Sequence, residues 1–163
     1  MLAREMLIKQ FEYNLWANGR VLEQAALVNE KEWTDRSGPE NRSLHETLAH
    51  MLLVERTWRL LSAHSQIEPE QVMRIEDLPD VASMQAFAAE QTEYMLTLLN
   101  DWSEEAFSEV EMVRRWDGTR MPLVRWHMLQ HLLFHSMQHR SEAAAMLTTY
   151  GHSPGDLDFI FYA

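Results

Sequence analysis

The sequence predicts an all-α fold, a four-helix bundle, from three observations. Four long segments have apolar residues at helical spacing, helix-forming residues dominate, and only five glycines interrupt the 163 residues. Each predicted helix is roughly 20 to 28 residues long, a length typical of bundles. We expect residues 1–163 to form one domain, because a chain of this length can bury a single core.

The first two helices have clear sequence signals. The first is predicted from about Leu2 to Val28, and the second from a cap at Ser43 to about His64. Ser43 and Glu46 have the spacing of a capping box, in which each side chain bonds the backbone N–H of the other. The apolar stripe of the first helix comprises Ile8, Phe11, Leu15 and Leu22.

The third helix is predicted from about Ser83 to Trp102. Residues 110–121 contain Asp117-Gly118 between short β-tolerant runs, which predicts a tight hairpin or an extended crossover before the last helix. The length of this connection indicates something other than a simple up-down order of helices.

The fourth helix is predicted from Pro122, a residue suited to a first helical turn, to about Tyr150, with Gly151 as its stop. The tail from Ser153 to Ala163 keeps Phe159, Ile160, Phe161 and Tyr162, so we expect it to pack against the bundle.

Composition excludes several classes of function. The net charge is −11, from 25 acidic and 14 basic residues, so the surface repels phosphate backbones and we expect no nucleic-acid partner. The chain has no cysteine, which excludes disulfides, iron–sulfur clusters and a nucleophilic thiol. Charged residues interrupt the N-terminal segment and no run is long enough to span a membrane, so we expect a cytoplasmic protein without a membrane partner.

Four histidines on the fourth helix, His127, His131, His135 and His139, recur every four residues. Neighbours at this spacing project from one face, so each of the three adjacent pairs could bind a metal. The run spans about 18 Å, too far for one ion. Helical phase favours His135 with His139 as the inward pair, although a second apolar face leaves the other pairs open.

A third ligand from another helix would complete a useful site, and His50 on the apolar second helix is the best candidate. Neutral imidazoles favour zinc, nickel or iron over calcium or magnesium. Glu46 could ligate the metal or orient His50, although the capping box competes for it, and Glu55 is another carboxylate that could orient an imidazole. Alternatively these histidines are structural; His45, His64 and His152 are expected to be packing residues.

These residues resemble the DinB family of helical-bundle proteins over nearly the whole chain. The resemblance rests on Tyr13 to Asn18, on Ser43 to His50 followed by Glu55 and Trp58, on Trp126 to Arg140, and on the tail from Pro154 to Tyr162. It implies that His50, His135 and His139 bind the metal, with His131 and His127 flanking them. It also implies an up-up-down-down bundle and homodimers. Ser141-Glu142 departs from the Gly-Gln that many members have there.

The resemblance implies a metal-dependent enzyme, such as a thiol S-transferase that takes a low-molecular-weight thiol and a small-molecule substrate. A bound divalent metal, zinc or nickel, would lower the pKa of the thiol. The metal could instead activate water for hydrolysis. The alternative is a non-catalytic metal-binding or stress-response interaction protein. Tyr13, Trp16 and Trp58 could line a substrate pocket, although aromatic residues on such helices usually belong to the core.

Overall fold

A computed structural model describes residues 2–115 and 117–162 and shows the predicted helical bundle. Its four long helices are α1 (Leu2–Ala25), α3 (Leu44–His64), α4 (Val81–Asp101) and α5 (Arg125–Thr149). Two short helices accompany them, α2 (Glu30–Thr34) and α6 (Phe159–Tyr162). Single 3-10 turns lie at Pro39–Asn41, Pro69–Gln71, Ile75–Asp77 and Glu105–Ser108.

Two apolar clusters show the direction of each long helix. One cluster joins the end of α1 and of α5 to the beginning of α3 and of α4, through Leu22, Leu147, Leu48 and Met84. The other joins the opposite ends of the same helices, through Leu7, Leu129, Trp58 and Met95. Helices α1 and α5 therefore run one way and α3 and α4 the other. The order is up-down-down-up, which differs from the expected up-up-down-down.

The two connections on either side of α3 explain this order. The connection through α2 stays at the end of the bundle where α1 stops, so α3 begins there and runs back along α1. The Trp33 ring of α2 lies 5.1 Å from the ring of His45 at the start of α3. The long crossover is instead residues 65–80. It starts where Ser65 accepts a hydrogen bond from the Arg114 backbone and returns to the α3 start, where the Leu78 carbonyl pairs with His45 Nε2 at 2.8 Å. His45 is thus a packing residue, as expected.

The caps of the long helices are local and follow the sequence. The Ser43 hydroxyl accepts from the Glu46 N–H at 3.1 Å, and the Ser43 N–H donates to the Glu46 carboxylate at 2.8 Å, which confirms the predicted capping box. Asp80 caps α4 through the Ser83 N–H at 2.8 Å, so this helix begins slightly before its predicted start. Helix α1 ends at Ala25, slightly before the predicted end.

The segment before the last helix is a hairpin, as one of the two alternatives predicted. Strands β1 (Val110–Arg114) and β2 (Arg120–Val124) pair antiparallel, with Arg114 opposite Arg120. Gly118 occupies the turn with a φ of 82°, which favours glycine. The predicted helix start at Pro122 was wrong, because Pro122 lies in β2 opposite Met112 and α5 begins at Arg125.

A two-stranded hairpin explains the position of this proline. Each strand is an edge strand, where a residue without an N–H is tolerated. The helix starts only where Arg125 is anchored: its backbone N–H donates to the Glu109 carbonyl at 3.0 Å, and its guanidinium pairs with Glu109 at 2.5 Å and Glu111 at 2.6 Å.

The tail packs against α1, as expected, through one face. The Tyr13 hydroxyl donates to the Leu157 carbonyl at 2.5 Å, and the Tyr13 ring lies 5.2 Å from that of Phe159. Ile160 and Phe161 stay exposed, and Ala163 lies outside the described residues. Among the described helices, none combines the length and apolarity that a membrane span requires.

Candidate metal centre

The structure brings three of the predicted histidines together. His50 projects from α3, and His135 and His139 project from adjacent turns of α5. One ring nitrogen from each lies within 4.8 Å of the other two. The ring centres are 5.1 Å apart for His50 and His135, 4.7 Å for His50 and His139, and 4.4 Å for His135 and His139. A single ion could contact all three.

The other two histidines of the run lie progressively farther round α5. His131 is exposed, and its ring lies 4.6 Å from Trp58 and 6.0 Å from His135. His127 is exposed beside Trp126 at 4.1 Å. Each step of four residues back along α5 adds about 6 Å along the helix and about 40° around it, so these two rings lie outside the group of three. His131 thus borders the three-histidine cluster, while His127 does not.

Electrostatics keep two of the three imidazoles neutral. Burial, followed by the positive charge of Arg42, lowers the pKa of His50 from 6.5 to about 4. Burial, followed by the neighbouring His139, lowers the pKa of His135 from 6.5 to about 4. At neutral pH these rings therefore have free lone pairs, which is the form that ligates metals.

Glu142, one helical turn after His139, provides the carboxylate that touches the cluster. Its Oε2 lies 2.6 Å from His139 Nδ1, and His139 is only 4 % exposed. A carboxylate in this place favours the tautomer in which Nδ1–H donates a hydrogen bond to it and Nε2 carries the free lone pair. Sequence reasoning noted Glu142 only as a departure from the family; its i, i+3 spacing from His139 was the signal for this contact.

The structure brings neither predicted carboxylate to the imidazoles. Glu46 completes the α3 cap and pairs with Arg36 at 3.1 Å. Glu55 lies on a different face of α3, where one of its oxygens accepts hydrogen bonds from Asn14 at 3.0 Å, Asn18 at 2.9 Å and the Ser136 hydroxyl. Among the described residues neither is hydrogen-bonded to the three rings.

Glu55 belongs to a polar network that joins α1, α3 and α5 beside the three-histidine cluster. Arg140 is 3 % exposed, and its Nη1 donates to the side-chain oxygens of Asn14 at 2.7 Å and Asn18 at 2.9 Å. Burial lowers the pKa of Arg140. The two asparagines thus link this cation to the Glu55 carboxylate. Since Ser136 and Arg140 directly follow His135 and His139, the network fixes the rotation of α5 against α1 and α3.

The donor set fits a divalent transition metal. His135 Nδ1 is buried and, within residues 2–115 and 117–162, has no hydrogen-bond partner. Such an unpaired polar atom costs roughly 1 to 3 kcal/mol. Three imidazoles match zinc or nickel, whereas calcium and magnesium require oxygen ligands that this cluster lacks in the described residues.

Comparisons with known proteins agree with this architecture. The model of the DinB family matches residues 1–163. A crystal structure of a DinB-like protein from Bacillus subtilis, YjoA, has a TM-score of 0.69 to this chain at 15 % identity, covering 91 % of this chain and 94 % of that one. At this identity the likeness shows the fold alone. A search of curated proteins finds no match.

Proposed function

Because the chain belongs to the DinB family, we propose that it is a divalent-metal-binding protein in which His50, His135 and His139 are the ligands. We propose further that it is a metal-dependent enzyme, a thiol S-transferase that uses a low-molecular-weight thiol. The observation that supports the metal most directly is the approach of three ring nitrogens within 4.8 Å. Zinc and nickel are the metals that this ligand set favours.

The ligand count supports catalysis. Three protein ligands leave one position of a tetrahedral site open, as in catalytic zinc sites. A divalent metal here would lower the pKa of a bound thiol and so supply a thiolate. The chain has no cysteine, so the sulfur must come from a cosubstrate. Glu142 contacts His139 Nδ1 and so orients its ring, and the network around Arg140 keeps α5 in place.

Metal analysis of protein purified without a histidine tag tests the ligand set. We expect about one zinc or nickel ion per chain in the wild type, since the described residues bring one group of three imidazole nitrogens together. His135→Ala should lose the metal, whereas His127→Ala, an exposed histidine of the same helix, should retain it. Wild-type protein without stoichiometric metal, or His135→Ala with a full complement, would refute the assignment.

Thermal unfolding with added thiols tests the transferase. A thiol that binds the metal centre should raise the Tm of the metal-loaded protein, because a ligand that binds the native state stabilises it. It should leave the Tm of His135→Ala unchanged, because that variant lacks one of the proposed metal ligands. If metal-loaded protein shows no shift with any low-molecular-weight thiol, the transferase is excluded. Metal-activated hydrolysis and a non-catalytic metal-binding protein are then the functions that remain.

The proposal includes a homodimer in the cytoplasm, where a reducing environment keeps the thiol cosubstrate reduced. The outer face of α5 supports self-association, because Phe134 and Met137 are 59 % and 52 % exposed. Light scattering on the purified protein should give twice the chain mass of 19.2 kDa. A concentration-independent monomer would contradict this part.

A further inference from the structure

A groove of about 780 Å³ separates α3 from the crossover and the β-hairpin. Its walls are largely apolar and include Leu61, Ile67, Val113 and Leu123. Small-molecule sites have volumes of roughly 300 to 1,000 Å³ and similar walls, with a few polar groups that fix orientation. The fold leaves this groove open, since Val72 on its border is 62 % exposed.

The charge of the groove is opposite to that of the protein. Arg56, Arg114 and Arg115 line it with only Glu68 as an acid, although the whole chain has a net charge of −11. Among the described residues no carboxylate forms an ion pair with these three arginines. The groove therefore attracts anions that the rest of the surface repels.

Local contacts hold this charge in position. Arg56 donates from Nη1 to the Gln71 carbonyl at 2.6 Å, which leaves its other guanidinium N–H groups for a ligand. The nearby carboxylate of Asp117 accepts the Thr119 N–H at 2.9 Å and the Thr119 hydroxyl at 2.6 Å, and its charge also interacts with Arg115, so Arg56 and Arg114 are the arginines left for a ligand. A guanidinium suits a carboxylate, because its N–H groups can bind both oxygens at once.

The groove adjoins the three-histidine cluster through Trp58 and His131, although none of the three histidines lines it. Leu53 and Thr57, which line it, lie one and two helical turns after His50 on α3. Trp58 also lines it, and its ring contacts His131, which in turn borders His135. A ligand in the groove can thus reach toward the imidazoles along one side of α3.

We propose that this groove binds the substrate of the metal centre, an amphipathic organic carboxylate whose apolar body lies on Trp58 and Leu61 and whose carboxylate meets Arg56 and Arg114. Because it assigns a substrate class to the metal centre, this inference rests on the proposed function. The arginines select the charge, and the apolar walls select the body. A neutral analogue of the same shape binds more weakly.

Calorimetric titration of metal-free protein with 2-naphthoate and with neutral 2-naphthalenemethanol tests the groove separately from the metal. We expect naphthoate to bind more tightly than the alcohol. Arg56→Gln and Arg114→Gln should each weaken naphthoate about threefold to tenfold, because a partly exposed charged hydrogen bond is lost. Lys31→Gln removes the same charge from exposed α2 and should leave both affinities unchanged.

Equal binding of the acid and the alcohol, or naphthoate affinity that both arginine variants retain, would overturn the groove assignment. Circular dichroism of each variant verifies folding, and Arg114→Lys, which keeps the charge, should recover part of the affinity. Since these titrations need no metal, they can fail while metal analysis succeeds. They can also succeed on protein that binds no metal, in which case the groove binds a carboxylate that the metal centre does not process.

Discussion

Removal of the Glu142 carboxylate should weaken metal binding without changing any ligand. Its Oε2 lies 2.6 Å from His139 Nδ1, so it fixes the ring tautomer and its negative charge offsets that of a cation. Loss of such an outer carboxylate typically weakens metal affinity about 10- to 100-fold, which corresponds to about 1.4 to 2.7 kcal/mol. We expect Glu142→Ala to show this loss. The metal affinity of Glu142→Gln, which keeps a neutral hydrogen-bond acceptor, should lie between that of Glu142→Ala and that of the wild type.

Competition with a chromophoric zinc chelator at pH 7.5 measures this difference. Ser141→Ala is the matched control, because its exposed hydroxyl only donates to the Met137 carbonyl of its own helix. Glu142→Ala with wild-type zinc affinity, or Ser141→Ala with an equal loss, would refute the reasoning that the carboxylate acts through His139.

Three further predictions concern stability. Glu55→Ala should lower the free energy of unfolding in urea by about 3 kcal/mol, because a buried guanidinium then has no carboxylate nearby; a loss below about 1 kcal/mol would contradict the network. In thermal unfolding, Gly118→Ala should destabilise the protein by about 1 kcal/mol because its φ is 82°. Gly19→Ala should stabilise it by about 0.5 to 1 kcal/mol, because Gly19 lies inside α1 with free space for a Cβ; changes of the same sign would contradict the backbone argument. The free energy of unfolding of the metal-free protein should fall as the pH falls from about 6.5 toward 4. The pKa of His50 and of His135 is lower in the folded chain, so the unfolded chain takes up protons first. A free energy of unfolding that stays constant over this range would contradict these pKa shifts.

Local features of the fold were predictable from sequence. The Ser43 cap depends on residues three apart, and the hairpin turn depends on the glycine of Asp117-Gly118. Each of these depends on contacts within a few residues, which sequence spacing encodes directly. Helical phase favoured His135 with His139 but left the other pairs open, and the family resemblance implied the choice.

Non-local features were not predictable in the same way. The direction of α4 depends on residues 65–80, whose 3-10 turns and irregular segments give no periodic signal. Pro122 satisfies a helix start and an edge strand equally well, and the anchoring of Arg125 by Glu109 and Glu111 decides between them. The position of Glu55 depends on Asn14, which lies in a different helix.

The central claim is that one metal ion lies between three imidazoles. Crystals of zinc-loaded protein measured at the zinc absorption edge should show one anomalous peak about 2.0 to 2.1 Å from a nitrogen of each of His50, His135 and His139. A peak between His127 and His131, or no peak bounded by these three rings, would contradict the account.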